Sequence, residues 1–465
     1  MSVPRSLDDF ARPVSARAPG RAPVDSPAVA AAEAAGPLDA VPHVVAWNLT
    51  QRCNLACAHC YIAAGPWHAA GGELSTDECR RIADEILELN PAPLFILSGG
   101  EPLLRGDLEE IAAHAKTGGA TVVVGTNGTG LTPERITSLQ AAGVGGVAIS
   151  VDSLDERYHD RFRHGDGALG DTLEAARRLR EAELDFIVQT SLTRGNRSEL
   201  PELVAWAAEA GAVCFNLYFL VETGRGEGMH GLSPEENEEV LGELVELQRA
   251  YRGRMMIRSK CQPQIMRLVH ERDPDSPLTH YATRCPCGVQ YCRITPEGKV
   301  TPCPYTPAVA GDLRRQGFAE VWRGSEVFRA IREGELGGKC GRCTYREVCG
   351  GCRARAYAAS GDLLAADESC AYEPAPVEAE APPLRSPREA TYGAAAETTL
   401  SWSEGARARI DRIPSFVRGV VARRVEDVAR REGLAEVTVE LLDRIRREMP
   451  VDFSKRLPFF ARDKR

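Results

Sequence analysis

The amino-acid sequence predicts an α/β fold of parallel strands, followed by a cysteine-rich region and a small all-α unit. Short β-branched or apolar runs alternate with segments of helical periodicity from residue 44 to about residue 260. Nine cysteines then crowd between residues 285 and 370, where periodicity fades. The last 65 residues carry apolar side chains at helical spacing. A chain of 465 residues is long enough for two or three such units.

Strand and helix positions follow from local pattern. Six runs fit strands: 44–49, 94–97, 121–124, 147–151, 186–192 and 213–220. Helix starts are marked by capping boxes or by an N-cap residue: Ser75 with Glu78, Thr132, Ser233 with Glu236, Ser401 with Glu404, and Thr438. Strand–helix alternation predicts parallel strands with right-handed crossovers, in an open sheet or a barrel.

Composition divides the chain into five segments. Residues 1–40, rich in Ala, Pro and Arg, are predicted to be a disordered lead-in. Residues 41–260 form the predicted α/β core and residues 261–373 the cysteine-rich region. Residues 374–400, rich in Pro, Ala and Glu, are a predicted flexible linker to the helical unit at 401–465.

Charge and hydropathy narrow the range of partners. The net charge of −9 argues against nucleic-acid binding, which needs a basic face. From residue 401 onward, however, 16 Lys and Arg outnumber 11 Asp and Glu, which predicts a separate module with its own partner or ligand. No apolar run is long enough for membrane insertion and no signal-peptide pattern is present, so the sequence predicts a cytoplasmic protein.

The first cysteine group is Cys53, Cys57 and Cys60, directly after the first predicted strand. Fifteen cysteines in an unexported chain favour metal or iron–sulfur ligation over disulfides. Three thiolates in eight residues can each bond a different iron of a cubane cluster, which leaves the fourth iron open for chemistry. The alternative is a zinc site that adds His59 or His43.

Small and polar residues follow the next three strands. They are Gly99, Gly100 and Glu101 after the second strand, Asn127 after the third, and Ser150 and Asp152 at the fourth. The carboxyl ends of parallel strands share one rim of a sheet or barrel, so these residues are expected to face one site.

In this order, the motifs resemble the radical S-adenosylmethionine (SAM) superfamily. The resemblance implies a partial (β/α)6 barrel, a [4Fe-4S] cluster on the three cysteines, and SAM bound to the open iron. It also implies one-electron cleavage of SAM to a 5′-deoxyadenosyl radical that abstracts a hydrogen atom. By position, Gly99, Gly100 and Glu101 would receive the methionine amino group, and Ser150 and Asp152 would contact ribose or methionine. Asn127 would lie on the same rim.

The later cysteines resemble a SPASM domain, the auxiliary-cluster extension of many radical SAM enzymes. The matching pattern is Gly298-x4-Cys303, Cys340-x2-Cys343-x5-Cys349-x2-Cys352, and Cys370, with two residues between the last close pair where three are usual. The resemblance implies one cluster on Cys340, Cys343, Cys349 and Cys370, and another on Cys292, Cys303, Cys352 and either Cys285 or Cys287. A pair of zinc ribbons is the alternative. Cys79 and Cys214 fit small buried hydrophobes.

Two resemblances indicate a tetrapyrrole substrate. Residues 216–225, 303–305 and 349–357 resemble the subgroup of the haem d1 radical SAM enzyme and the radical SAM decarboxylase of siroheme-dependent haem synthesis. Residues 413–418, followed by Glu426, Ala429, Gly433 and Thr438, are similar to the C-terminal domain of the protochlorophyllide reductase B subunit. Arginines that could bind propionates are Arg225, Arg258, Arg353, Arg355, Arg409, Arg412 and Arg418.

The sequence therefore favours an enzyme that modifies propionate side chains of a haem-type tetrapyrrole, reduced by a donor such as ferredoxin or flavodoxin. A peptide-maturing SPASM enzyme and a non-catalytic iron–sulfur scaffold are the alternatives. Cys261 could touch substrate or a haem iron, or be structural. Gln264 stands where the haem subgroup usually has a histidine, which weakens the iron-ligand interpretation.

Overall fold

A computed structural model describes residues 41–280, 284–376, 398–411, 413 and 415–448. The predicted lead-in, most of the predicted linker and Arg412 lie outside these residues. None of the helices in the described part of the chain has both the length and the apolarity needed to cross a bilayer.

Ten strands form one sheet, with the order β10-β9-β8-β1-β2-β3-β4-β5-β6-β7. The strands are β1 (Val44–Thr50), β2 (Leu94–Gly99), β3 (Thr121–Thr126), β4 (Gly146–Ser150), β5 (Phe186–Leu192), β6 (Cys214–Phe219), β7 (Met256–Lys260), β8 (Tyr291–Ile294), β9 (Lys299–Thr301) and β10 (Gly311–Asp312). All neighbouring pairs from β8 through β1 to β7 are parallel, and the pairs β8–β9 and β9–β10 are antiparallel. The six predicted strands are confirmed as β1 to β6.

Helices connect the strands and flank the sheet. They are α1 (Thr76–Leu89), α2 (Leu108–Thr117), α3 (Pro133–Ala141), α4 (Glu156–Arg163), α5 (Ala168–Glu181), α6 (Leu200–Ala210), α7 (Pro234–Ala250), α8 (Ile265–Arg272), α9 (Phe318–Gly324), α10 (Glu326–Glu333), α11 (Gly338–Arg342) and α12 (Arg353–Ser360). The predicted caps Ser75, Thr132 and Ser233 are confirmed, and Ser75 and Ser233 form full capping boxes.

Alternation along the strands separates a helix-facing core from the opposite face of the sheet. In β8, for example, Cys292 and Ile294 are fully buried in the main hydrophobic core, whereas Tyr291 and Arg293 are half-buried on the other face. Burial of the helix-facing side chains between the sheet and its helices is the main stabilising contribution to the fold.

The sheet continues across the predicted boundary between residues 260 and 261. β8 pairs with β1 in parallel register, with Val44 opposite Tyr291 and Trp47 opposite Ile294. β9 and β10 then extend the same sheet. The start of the cysteine-rich region is therefore part of the core sheet, which composition alone did not reveal.

The C-terminal unit has its own small core. Its helices are α13 (Glu404–Ile410), α14 (Ser415–Arg431) and α15 (Val439–Glu448), and its two short strands are β11 (Ser401–Trp402) and β12 (Glu436–Val437). The predicted capping box from Ser401 to Glu404 is wrong, because Ser401 and Trp402 pair with β12 and Ser403 caps α13. The hydroxyl of Thr438 accepts from Leu441 N, which confirms the predicted cap.

Candidate active site

The first cysteine group lies in the loop at the carboxyl end of β1. Cys53 is buried, and Cys57 and Cys60 pack against the same small cluster of apolar side chains. The loop is closed by a backbone bond of 3.2 Å from Cys60 N to Cys57 O. The Leu55 and Ala64 amides, each 3.4 Å from a thiol sulfur, donate to Cys53 and Cys60.

Burial makes this loop a demanding place for thiolates. It raises the pKa of Cys53 to about 12 and that of Cys57 to about 11, although Arg163 opposes the shift at Cys57. Thiols of this kind keep their protons until a bound metal displaces them. One nitrogen of Arg225, Nη2, is also buried beside the loop with no hydrogen-bond partner within the described part of the chain. Both observations fit a cluster bound here.

The two histidines of the zinc alternative lie elsewhere or are otherwise occupied. His43 is at the start of β1, beside Asn90, at the far end of the strand from the cysteines. The His59 ring stacks on Phe162 at 4.4 Å, and burial lowers its pKa to about 4. In the described ranges, no three His, Cys, Asp or Glu side chains converge closely enough for a single metal ion. Cluster thiolates each bond a different iron, so they do not converge in that way.

Gly99 and Gly100 let the end of β2 pass directly against the cysteine loop. The amides of Gly100 and Glu101 donate to the carbonyls of Thr50 and Arg52, each at 2.8 Å. A Cβ on Gly100 would overlap the Arg52 carbonyl, and one on Gly99 would overlap that of Thr50. Gly99 also has φ +145, which favours glycine. These glycines fix the distance between the rim and the cysteine loop.

Gly100→Ala is expected to destabilise the protein by about 1–3 kcal/mol and to lower the iron bound by the first cysteine group, because the added methyl collides with backbone. Gly106→Ala is the matched control, since a Cβ there meets nothing within 4 Å. We expect that variant to stay within about 0.5 kcal/mol of the parent. Urea titration and iron analysis of both chains measure the effect, and equal behaviour of the two variants would refute it.

Glu101 joins the ends of two strands. Its carboxylate, 1 % exposed, accepts hydrogen bonds from Thr126 Oγ1 at 2.7 Å and Asn127 N at 2.8 Å. Asn127 in turn lies beside the cysteine loop, with Nδ2 at 2.8 Å from Asn54 Oδ1 and 3.9 Å from Cys53 Sγ. The structure therefore brings both residues to the rim, where the Glu101 carboxylate links the end of β2 to the end of β3.

Asp152 has a different setting from the expected ribose contact. It is fully buried, it ion-pairs with Arg163 at 2.7 Å, and its Oδ1 accepts from Ser191 N at 2.7 Å. Burial would raise the pKa of Asp152, but Arg163 and two nearby histidines hold it below the ordinary value. Ser150 is half-buried at the end of β4, opposite Gln189 of β5. The role that this arrangement gives Asp152 is to position Arg163.

Two arginines that sequence reasoning missed or misplaced hold the cysteine loop. Arg163 faces Cys57 closely enough to lower its pKa, and the neighbouring backbone carbonyl of Phe162 accepts from Ala58 N at 2.9 Å. Arg225 donates to the carbonyls of Cys57 at 2.8 Å and Ala64 at 2.7 Å. Arg225 was expected at a propionate, but its position ties it to the loop. Such long-range bonds to backbone leave no local signal in sequence.

The later cysteines form two groups. Cys340, Cys343, Cys349 and Cys370 line one narrow cleft, together with Gly350 and Gly351. The pKa of Cys349 is raised well above its ordinary value, mainly by burial and also by Cys370 and Cys340. This group coincides with the set that the SPASM resemblance implies for one cluster.

The second group contains Cys261, Cys285, Cys287, Cys303 and Cys352, which pack together with Val221 and two tyrosines. Cys292 is not among them. It is 0 % exposed on the helix-facing side of β8, where burial raises its pKa and Arg332 opposes that shift. The implied grouping of Cys292 with Cys303 and Cys352 therefore does not match the structure, because strand alternation turns its side chain into the core.

Four tyrosines lie beside the cysteine groups: Tyr61 directly follows Cys60 of the first group, Tyr291 and Tyr305 pack within the second, and Tyr218 of β6 neighbours Tyr305. We refer to them as the tyrosine cluster. The rings of Tyr61 and Tyr305 are 5.2 Å apart. Burial raises the pKa of Tyr61, and Cys60 and Cys303 act in the same direction, so Tyr61 lies near cysteines of both groups. Burial raises the pKa of Tyr305 well above its ordinary value, and Tyr218 and Tyr291 act in the same direction.

Cations border the tyrosine cluster. The Arg293 guanidinium lies 5.5 Å from the centre of the Tyr61 ring and donates to Asn48 Oδ1. Arg258 and Lys260 of β7 lie opposite Asn216 and Tyr218 of β6. Burial and then Arg258 lower the pKa of Lys260 to about 8. In the described part of the chain, no carboxylate ion-pairs with Lys260.

The other arginines proposed for substrate are engaged in the fold. Arg353 donates to the carbonyls of Leu363 and Ala365, and Arg355 donates to that of Cys261 at 2.6 Å. In the C-terminal unit, Arg409 pairs with Asp443 and Arg418 donates to the Ile413 carbonyl. Of the expected set, Arg258 alone borders the tyrosine cluster among the described residues.

Comparisons with known proteins agree with this arrangement. Residues 47–207 match the radical SAM superfamily, residues 285–353 the SPASM iron–sulfur cluster-binding domain, and residues 402–446 the family described as proto-chlorophyllide reductase 57 kD subunit. The chain is 40 % identical to an AdoMet-dependent heme synthase of Methanosarcina barkeri, over 72 % of this chain and 97 % of the relative. It is 30 % identical to a pre-heme d1 synthase of Dinoroseobacter shibae, over 70 % and 85 %.

The fold is similar to that of solved structures as well. The crystal structure of Streptococcus suis SuiB bound to S-adenosylmethionine superposes with a TM-score of 0.59 at 14 % identity, over 72 % of this chain and 78 % of that one. At this identity the likeness concerns the fold alone. It agrees with the partial barrel that the sequence motifs imply.

Proposed function

The chain belongs to the radical SAM superfamily and carries a SPASM region, and on this premise we propose that it modifies the propionate side chains of a haem-type tetrapyrrole by decarboxylation or removal. The observation that carries the substrate class is the tyrosine cluster with its bordering cations, next to both groups of cysteines. Aromatic side chains suit the apolar face of a macrocycle, and half-buried cations suit its carboxylates.

We propose that Cys53, Cys57 and Cys60 hold the cluster on which SAM binds. When bound, this cluster supplies the electron that converts SAM to methionine and a hydrogen-abstracting 5′-deoxyadenosyl radical. The chain's own residues set the conditions for that chemistry. Arg225 and the Asp152–Arg163 pair hold the loop, Gly99 and Gly100 set its distance from the rim, and the tyrosines exclude water.

Lys260 is the residue most suited to a substrate carboxylate. It is a half-buried cation with no carboxylate partner in the described residues, and partial burial of a charge without a counter-ion costs free energy. An entering propionate would supply that counter-ion. An electron donor such as ferredoxin or flavodoxin, and a cytoplasmic location, are part of the same proposal.

The proposal is tested by anaerobic reconstitution and assay of 5′-deoxyadenosine with SAM, dithionite and iron-coproporphyrin. We expect 5′-deoxyadenosine and a substrate product that has lost the mass of CO2 or of a side chain. Absence of 5′-deoxyadenosine would refute the radical chemistry. Conversion of a peptide, with no binding of the tetrapyrrole, would replace the substrate class by that of the peptide-maturing enzymes.

Lys260→Met is expected to weaken iron-coproporphyrin binding roughly 10- to 150-fold, the equivalent of losing one charge-assisted hydrogen bond. Stability should be unchanged or higher, because a half-buried cation is replaced by an apolar side chain of similar size. Lys299→Met is the matched control, since Lys299 pairs with Asp312 at the sheet edge. Absorbance titration measures affinity, and equal affinity in both variants would contradict the role of Lys260.

A further inference from the structure

Five cysteines meet where a four-iron cluster needs four thiolates. They are Cys261, Cys285, Cys287, Cys303 and Cys352. The SPASM resemblance accounts for Cys303, Cys352 and one of the pair Cys285 and Cys287. It took its fourth ligand from Cys292, which the structure places in the hydrophobic core. One ligand position of this group is therefore without an assigned residue.

Cys285 and Cys287 together fill one position. They are two residues apart, and their Sγ atoms are 3.3 Å apart in a direct contact. Close-spaced ligands of iron–sulfur clusters have two or more residues between them, and this pair has only one. We therefore count the pair as one ligand, so the fourth ligand comes from another part of the chain.

Cys261 is placed to supply it. It directly follows β7, and its thiol packs in the same group and hydrogen-bonds with that of Cys352. It also lies near Tyr305, whose pKa is raised by burial and further by Cys261. Among the described residues, Cys79 and Cys292 pack in the main hydrophobic core instead, and Cys214 is not part of this group.

The backbone at Cys261 is held in an unusual conformation. Its φ is +60, a left-handed value that a non-glycine residue rarely adopts and that costs free energy. Arg355 stabilises it by donating to the Cys261 carbonyl at 2.6 Å, and the same guanidinium donates to Leu220 O at 3.0 Å. Ser259 Oγ donates to the carbonyl of Gln262 at 3.0 Å. Bonds on both sides of Cys261 thus maintain a strained residue beside the other thiols.

We propose that Cys261 is the fourth thiolate ligand of the auxiliary iron–sulfur cluster bound by Cys303, Cys352 and one of Cys285 and Cys287. The proposal rests on the iron–sulfur chemistry of the proposed function and is independent of its substrate. The position of Gln264, where the haem subgroup usually has a histidine, is consistent with this role. Gln264 donates to Asp367 at 2.8 Å, so this segment is anchored to the cysteine-rich region rather than directed at a haem iron.

The test compares Cys261→Ala and Cys261→Ser with Cys292→Ala in the full chain, purified and reconstituted without oxygen. Iron and sulfide per chain are measured together with the EPR spectrum of the reduced protein. Cys261→Ala is expected to lose up to about four irons and one cluster signal. Cys261→Ser, which keeps a hydroxyl in place of the thiol, is expected to fold like the parent and to shift the same signal. Cys292→Ala is expected to keep all iron.

Full iron and an unchanged spectrum in Cys261→Ser and Cys261→Ala would overturn the proposal, and so would loss of one cluster in a folded Cys292→Ala chain. Circular dichroism reports folding of each variant. Uncoupled 5′-deoxyadenosine formation reports the first cysteine group separately. Substrate is absent from every measurement, so a wrong tetrapyrrole assignment leaves these readouts unaffected.

Discussion

Cys57→Ala is expected to abolish 5′-deoxyadenosine formation under strong reduction while the iron bound by the later cysteines stays in place. Cys57 is one of three thiols on a loop that has no fourth cysteine, so its loss leaves two ligands for a four-iron cluster. The later groups lie on other segments of the chain and keep their own thiols. Chromatography of the quenched reaction measures 5′-deoxyadenosine, and iron analysis measures what remains.

Cys79→Ala provides the control for Cys57→Ala. Cys79 is also buried, in helix α1, where it packs in the hydrophobic core. Its replacement removes a sulfur but no proposed ligand, and should cost stability of the order expected for a small cavity. Retained 5′-deoxyadenosine formation in Cys57→Ala, or its loss in Cys79→Ala, would contradict the assignment of the first cysteine group.

Asp152→Asn is expected to destabilise the folded chain by about 3–5 kcal/mol, because it leaves the buried Arg163 guanidinium without its counter-charge. Glu174→Gln is the matched control, since Glu174 pairs with Arg177 and Arg178 on an exposed helix surface. That change should cost much less than Asp152→Asn, because solvent screens an exposed ion pair. Anaerobic urea titrations give both free energies of unfolding, and equal losses would show that burial of the pair is unimportant.

The same pair predicts a pH dependence. The pKa of Asp152 is lower in the folded protein than its ordinary value of 3.8, so its stabilising contribution is complete above that value. It is lost as the pH falls through the lowered folded-state pKa.

The double variant Asp152→Asn/Arg163→Met should be more stable than Asp152→Asn alone, because no unpaired charge remains. A double variant as unstable as the sum of both single changes would argue against this coupling.

Much of the site was predictable because its motifs are local. Cys53, Gly100 and Asn127 each follow a strand of clear pattern, and parallel strands present their carboxyl ends on one rim. Roles that depend on distant partners were not predictable. Asp152 was placed correctly at the rim, but its bond to Arg163 arises from how α4 packs beneath the loop.

Two predictions from the sequence were wrong because the residues lie in strands whose pairing the sequence does not show. Cys292 has the sequence spacing of a ligand. Which face of the sheet its side chain occupies is determined only by the position of β8 as a strand of the core sheet, and there it faces the core while Tyr291 faces the other side. Ser401 fits a capping box in sequence, but pairing with β12 takes it into a strand. In both cases a long-range strand pairing, which no window of local sequence contains, overrode the local signal.

The pairing of β1 with β8 bears on how the chain is made. β1 emerges early from the ribosome, whereas its neighbour β8 follows only after six further strands have been synthesised. Until then one edge of β1 has unpaired amides and carbonyls, the kind of edge that recruits other chains. A nascent chain stopped near residue 260 would keep that edge, so truncated products should aggregate, and only synthesis through residue 294 can close it.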